Sequence, residues 1–401
     1  MSAHNGRGDV IPFPDRQKLE VRRQGGGGAS KPDNRIVIRE YDHIIFICTV
    51  LLVGIGLVMV LSASYYSALH SGNVYEYFTM QAIGAGLGLV GMFFAATINY
   101  KLVSKFSTIF YWASNVLLVY TALFGIEFQG ARRWVSFGGV NFQPSELTKV
   151  AVILMLAVYL NRDRNRVNTV KGVLGYIALT LIPVALVMWG RNLSTAIILL
   201  AIGFVILFLA SPYFWRFIAV AAAAISAAIG FFIIDYQFLG GFRGSRFMVW
   251  QDPFSDPSGF GFQTIQSLFA IASGGLFGRG LGNSMQKRYY LPEAQNDFIF
   301  AIIIEELGLF GGGIVLLLFA IIVWRGTKAA MASRDTMGLL IAAGITTMIA
   351  VQVIINVGVV TNFIPNTGIP LPFISYGGTS IAVMMTAVGL LLNVSRYQRT
   401  N

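Results

Sequence analysis

FIFAIIIEELGLFGGGIVLLLFAIIVW, residues 298–324, decides how the rest of the chain is read. Its only charges are the adjacent Glu305 and Glu306. A helix of this length is roughly 40 Å long, enough to cross a hydrocarbon layer about 30 Å thick. Working outward, similar apolar runs lie at roughly 44–64, 77–97, 107–124, 145–160, 172–189, 193–210, 216–234, 337–360 and 378–395. With the first, that makes ten. The composition agrees: hydrophobic residues make up 55% and charged residues 12% of the 401, and mean hydropathy is +0.68. A soluble domain carries about 25% charged residues. The expected fold is an all-α polytopic membrane protein of about ten helices, with glycines such as Gly54, Gly56, Gly84, Gly86, Gly88 and Gly311–Gly313 allowing helices to pack closely.

Residues 1–43 are polar and basic, contain GGGG at 25–28, and lack the apolar run of a signal peptide. They read as a disordered cytoplasmic tail that helps orient the chain. With that tail inside, the inner segments carry 20 Lys and Arg against 8 outside. Both termini are therefore expected in the cytoplasm, residues 397–401 forming the short C-terminus. One outer segment, 235–297 between the seventh and eighth helices, is too long for a linker. Such loops usually carry function. Its FQTIQSLFAIASGGLFG at 262–278 is too short and glycine-broken to span, and reads as an interfacial helix.

Several chemistries are disfavoured at once. The lone Cys48 allows no disulfide, and the histidines, His4, His43 and His70, all lie before the second helix. An acid or base here is a carboxylate, lysine or tyrosine. No nucleotide-binding fingerprint is present, so nucleotide-driven work by this chain alone is not expected.

The charges in or beside the membrane are the informative ones. In FQPSELTK, 142–149, Glu146 and Lys149 are three apart on one helical face. They read as an ion pair that pins the fourth helix and can hold a cavity wall. In LPEAQNDFIFA, 291–301, Asp297 stands where the eighth helix begins. It is either an N-cap for free backbone N–H groups or a general base at the lipid–water boundary. Glu305 and Glu306 point about 100° apart, so they should not share one partner. Arg243 and Arg246 suit phosphate oxygens or an anionic surface, while Lys287 and Arg288 read as solvated loop charges or as further phosphate ligands. NTGIPLPFISYGGTS, 366–380, packs prolines and glycines before the last helix and holds the polar cluster Ser375, Tyr376, Thr379 and Ser380. It reads as a rigid, re-entrant turn, tolerated only where protein or water surrounds it.

These segments, with GRNLSTA at 190–196 and SGGLFGRGLGNSMQKRYYLPEAQNDFIFAIIIEELG at 273–308, resemble the SEDS family of shape, elongation, division and sporulation proteins over roughly residues 40–396. LGNSMQK and PEAQNDF are closer to its division branch, FtsW, than to its elongation branch, RodA, and sporulation members are near relatives. The resemblance implies polymerisation of lipid II into glycan strands during cell division at the outer face of the bacterial cytoplasmic membrane. It places the essential carboxylate on Asp297, the family's Glu/Lys pair on Glu146 and Lys149, and its loop arginines on Arg243 and Arg246. Lys287 and Ser375 are carried as supporting candidates. It further implies a class B penicillin-binding protein and other division proteins as partners, a division-septum location, and no nucleic acid. A divalent cation, magnesium or manganese, near Asp297 is an added expectation. Arg191 departs from the proline common at its position, and Asn192 from the frequent Asp. A lipid II flippase and a non-catalytic division scaffold are the rival readings; neither requires Asp297 as a base.

Overall fold

The structure is a computed structural model, and it describes residues 40–71, 73–128, 131–137, 140–211, 213, 215, 249–259, 261–288 and 291–397. The tail to residue 39, the apolar run 216–234, Arg243 and Arg246 lie outside the described residues. Nine described helices are long and apolar enough to cross a membrane.

In chain order these are α1 (His43–Ser71), α2 (Glu76–Thr97), α4 (Ser107–Phe124), α5 (Pro144–Arg162), α6 (Val170–Trp189), α7 (Leu193–Ala210), α9 (Ile299–Met331), α10 (Thr336–Val360) and α11 (Gly378–Arg396). Two shorter helices, α3 (Tyr100–Lys105) and α8 (Phe262–Gly274), do not span. The loop helix expected within 262–278 is thus α8.

Between α4 and α5 the chain forms β1 (Ile126–Phe128), β2 (Ala131–Phe137) and β3 (Val140–Phe142), an antiparallel sheet in the order β1-β2-β3. This small sheet is the one addition, among the described residues, to the helical fold expected. Its sequence signal is the apolar–polar alternation of Val135, Ser136 and Phe137 after the paired arginines, too short to stand out beside the long apolar runs.

α5 and α10 form the middle of the bundle. Along α5, Ala151, Val152, Ile153, Leu156 and Ala157 are all fully buried, and along α10 so are Leu340, Ile341, Ala342, Ile345 and Ile349. A helix apolar and buried on every side belongs inside a bundle. Lipid is as apolar as these side chains, so assembly relies on close packing and polar ties. α2 and α11 show the close packing. A Cβ on Gly84 would stand 2.2 Å from Gly378 O, and one on Gly389 would stand 2.4 Å from Met92 O. Gly56 admits the backbone of Phe373, 2.6 Å from its would-be Cβ. Gly54, Gly86 and Gly313 meet nothing within 4 Å, so the packing expectation does not extend to them.

The stretch 298–324 is not one uninterrupted helix. Gly308 has φ 74° and ψ −179°, a conformation open essentially to glycine alone. Residues 275–280 re-enter beside this break and take up its backbone groups. Arg279 N donates to Glu305 O (2.9 Å), Gly280 N to Glu306 O (3.0 Å), Leu309 N to Gly275 O (2.9 Å) and Phe310 N to Leu276 O (3.1 Å). A broken helix at membrane depth requires such replacement partners.

Candidate active site

Asp297 closes the long segment before α9, one residue ahead of the N-cap, Phe298, and no side chain caps that helix. The N-cap reading of Asp297 is therefore corrected: the carboxyl is displaced from the free N–H groups it would have to reach. The approach to it is a tight turn. Glu293 adopts φ 56°, Asn296 N donates to Glu293 O at 3.0 Å, and the Asn296 amide donates to the Glu293 carboxylate.

Two separate parts of the chain touch this turn, α10 and the proline-rich turn, and two more brace the proline-rich turn. From α10, the buried Asn356 donates through Nδ2 to Asp297 O (2.8 Å) and to Ile369 O (2.7 Å). From the proline-rich turn, Gly368 approaches so closely that an added Cβ would lie 2.9 Å from Asp297 Oδ2. Ser375 Oγ donates to Asn296 O (2.6 Å) and accepts from Leu371 N (2.7 Å), and Tyr376 N donates to Gln295 O (2.9 Å). From α2, Gln81 braces the proline-rich turn with both ends of its amide, donating to Ser375 O (3.0 Å) and accepting from Gly377 N (2.9 Å). Ser194 at the start of α7 adds a hydrogen bond to Thr367 O. The re-entrant turn is thus a clamp on Asp297. Ser375 is part of the clamp through its two hydrogen bonds.

The Asp297 carboxyl remains partly exposed, and its pKa is pushed up to about 7. Loss of hydration among packed protein is the main cause, the nearby negative charge of Glu293 adds to it, and Arg133 partly offsets both. Arg133 comes from β2, and nothing in its local sequence connects it with residue 297. A carboxylate poised near neutrality suits proton abstraction.

The other candidates fall into two buried networks. Lys149 Nζ and Glu146 Oε1 are 2.9 Å apart with the lysine only 1% exposed, and Ser380 Oγ donates to Glu146 Oε2 at 3.0 Å. The pair forms within α5, as its spacing suggested, and the Ser380 bond ties it to α11. Lys287 is not a solvated charge. Its Nζ lies 2.7 Å from Glu306 Oε1 and 2.9 Å from Ser62 Oγ of α1, and it is 5% exposed. An uncompensated loop lysine would stay in water, but the re-entrant segment carries this one to a buried carboxylate. Glu305 instead accepts from the Ser284 hydroxyl and from Met285 N (2.9 Å). The adjacent glutamates do take different partners, and both are fully buried. Arg288 stays exposed, stacked over Tyr66 at 5.5 Å. Beside this network a groove of about 590 Å³ opens between α8 and residues 279–286, with Glu305 at its floor.

Comparisons with known proteins identify the fold and the family. Stage V sporulation protein E of Bacillus subtilis is 40% identical over 362 residues, covering 89% of this chain and 98% of that protein. A probable peptidoglycan glycosyltransferase FtsW of Trichlorobacter lovleyi is 36% identical over 89% of this chain and 94% of its own. Among solved structures, a chain from work on the coordination of polymerization and crosslinking by a peptidoglycan synthase complex superposes with a TM-score of 0.74 at 26% identity, covering 90% of this chain and 99% of that one. The rod shape-determining protein RodA of Thermus thermophilus superposes with a TM-score of 0.65, also at 26% identity, over 90% of this chain and 98% of that one. The family profile of FtsW, RodA and SpoVE, described as cell cycle proteins, matches residues 42–400, so with this fold and these relatives the chain belongs to the FtsW/RodA/SpoVE family.

Proposed function

We propose that this protein is a peptidoglycan glycosyltransferase that polymerises lipid II at the outer face of the cytoplasmic membrane. Relatives named as probable peptidoglycan glycosyltransferases and a structural neighbour from a peptidoglycan synthase complex support the activity. The observation that carries the reading to residues is Asp297: a clamped, partly exposed carboxylate with a near-neutral pKa at the outer end of a membrane helix.

In this mechanism the donor is a glycan on a polyprenyl diphosphate and the acceptor is lipid II. Asp297 takes the proton of the acceptor sugar's 4-hydroxyl as that oxygen bonds to the donor's anomeric carbon. The bond from that carbon to the diphosphate breaks, and the diphosphate leaves with its electron pair. A single displacement inverts the α-linked donor into a β-linked product. Glu146–Lys149 and Lys287–Glu306 hold the helices and the loop around the reaction. The groove beside α8 is the kind of lateral opening through which a lipid tail stays in the bilayer.

A divalent cation belongs to the proposal as an auxiliary. Asp297, with the nearby Glu293, would hold it together with substrate phosphates, the manner in which magnesium usually binds. When bound it would neutralise charge on the leaving diphosphate. The crosslinking partner would be a class B penicillin-binding transpeptidase. The basic tail and charge bias favour cytoplasmic termini, and the motif resemblance favours the division septum.

The test is lipid II polymerisation by the purified protein with its transpeptidase partner and divalent cation, wild type against Asp297→Asn. Strands from wild type alone support the reading. Equal strands from both would remove Asp297 as the base. No strands from either would turn attention to lipid II flipping in liposomes.

A further inference from the structure

Glu305 takes no part in the proposed reaction, and no described cation pairs with it. Lys287 is committed to the neighbouring Glu306 at 2.7 Å. The partners of Glu305 are neutral: the Ser284 and Ser273 hydroxyls and the backbone N–H groups of Met285 and Gln286. These bonds satisfy its oxygens but leave its negative charge uncompensated, which is costly in a buried carboxylate. That charge lies at the floor of the groove of about 590 Å³ between α8 and residues 279–286. The groove walls offer further acceptors. Gln266, Ser273 and Gln286 line it, and Gln286 Oε1 has no hydrogen-bond partner among the described residues. No bond holds that amide oxygen back, so it is free to turn toward a donor. The cation in the lining is Arg279, which is exposed and donates to Ser273 O at 3.4 Å. Negative charge thus lies deep in the groove and positive charge nearer its mouth.

The level of the groove follows from α9. Its residues from Ile299 to Glu306 are all buried, and its large exposed apolar side chains begin with Leu309 and Phe310 and continue with Ile314 and Leu317. Such a face is what a spanning helix shows to hydrocarbon. Leu276 and Phe277 extend it: Phe310 N bonds Leu276 O, and Phe277 is 82% exposed. Glu305 stands one turn before Leu309, so the groove lies where the headgroups of the leaflet on the Asp297 side meet their acyl chains.

We infer that this groove binds the headgroup of an aminophospholipid, with its primary ammonium toward Glu305 and the amide and hydroxyl acceptors, its phosphate toward Arg279, and its acyl chains over Leu276, Phe277 and Phe310. An ammonium bearing N–H donors answers both the uncompensated carboxylate and the orphaned amide oxygen. The phosphate answers Arg279, in the order that the groove sets its charges. The inference is independent of Asp297 and of the proposed reaction: a polyprenyl tail can pass the apolar lip at Phe269 and Met285 whichever headgroup lies on the polar floor.

The experiment reconstitutes the full chain in phosphatidylcholine bilayers that contain equal minor fractions of phosphatidylethanolamine and phosphatidylglycerol. The protein is re-extracted in mild detergent and its co-purifying lipids are quantified by mass spectrometry. Phosphatidylethanolamine should be enriched about tenfold over phosphatidylcholine, which carries the same phosphate but no ammonium N–H. Gln286→Leu should cut that enrichment about fivefold and Arg279→Gln about threefold. Both side chains are at least partly exposed, so neither change threatens the fold, and the wild-type comparison of lipids needs no variant at all. Equal retention of phosphatidylethanolamine and phosphatidylcholine by wild type overturns the inference. So does an enrichment that both variants keep in full, because the lipid then lies elsewhere on the protein. Phosphatidylglycerol enriched above phosphatidylethanolamine overturns it too, by showing an anion site at Arg279 alone. Lipid retention is read without turnover, so failure of the polymerisation assay leaves this result standing.

Discussion

Gly368 and Asp297, separated by 71 positions in the chain, meet so closely that a methyl group on the glycine would lie 2.9 Å from the carboxylate oxygen Oδ2. Gly368 also has φ 64°. Two costs follow from one substitution. Gly368→Ala places a Cβ in a left-handed conformation, costing about 1–2 kcal/mol, and crowds the carboxyl. The expected outcome is a lower melting temperature with a disproportionate loss of polymerisation, read by thermal unfolding and strand synthesis on the same preparation.

Asp297 itself sets a pH dependence. The base must be ionised, so polymerisation should rise with pH through an apparent pKa near 7. Stability runs the other way. The fold raises this pKa above the ordinary carboxylate value, so the stabilisation is complete below about pH 4 and is lost as pH rises through about 7. Asp297→Asn should therefore abolish at least about 100-fold of the rate, while raising the melting temperature more at pH 8 than at pH 5. A variant that melts like wild type at both pH values would argue against a strained carboxylate.

Lys287 and Glu306 form the tie between the long loop before α9 and the broken helix. Removing one partner leaves a buried charge uncompensated, at a cost of about 3–5 kcal/mol. Lys287→Met and Glu306→Gln should each destabilise strongly, and the double variant should cost clearly less than the sum. A double-mutant cycle on melting in detergent measures the coupling.

Gly308 is the hinge of that break. An added Cβ would stand 2.2 Å from Leu276 O, in a backbone region closed to other residues. Gly308→Ala is expected to expel residues 275–280 from the helix and to leave little monodisperse protein on size-exclusion chromatography. Gly313→Ala, which meets nothing within 4 Å, is the matched control and should purify normally.

At the opposite end of the bundle, Asp335 accepts from Gly338 N (2.8 Å) and Tyr100 Oη (2.9 Å) and pairs with Lys101 Nζ (2.9 Å). Burial pushes its pKa up, but these bonds outweigh that and hold it below the ordinary carboxylate range. This contribution is present above about pH 4 and is lost as pH falls through the lowered value. Asp335→Asn should lower the melting temperature at pH 7 and have little effect in strong acid.

The outline of the protein was legible in the sequence because it rests on local rules. An apolar run of about 20 residues must be a span, three-residue spacing puts Glu146 and Lys149 on one helical face, and the prolines around 365–372 cannot continue a helix. Asp297 stood out because a carboxylate at a membrane boundary is costly. What held it did not stand out. Asn356, Gly368 with Ser375, Gln81 and Arg133 come from four separate segments, and no local periodicity links them. Lys287 looked solvated until the re-entrant chain brought it to Glu306, and Gly308 looked like one more helix glycine until the backbone of residues 275–280 filled its break. Spans are written in the chemistry of neighbouring residues, whereas the clamp around Asp297 exists only where distant backbone groups must find one another out of water.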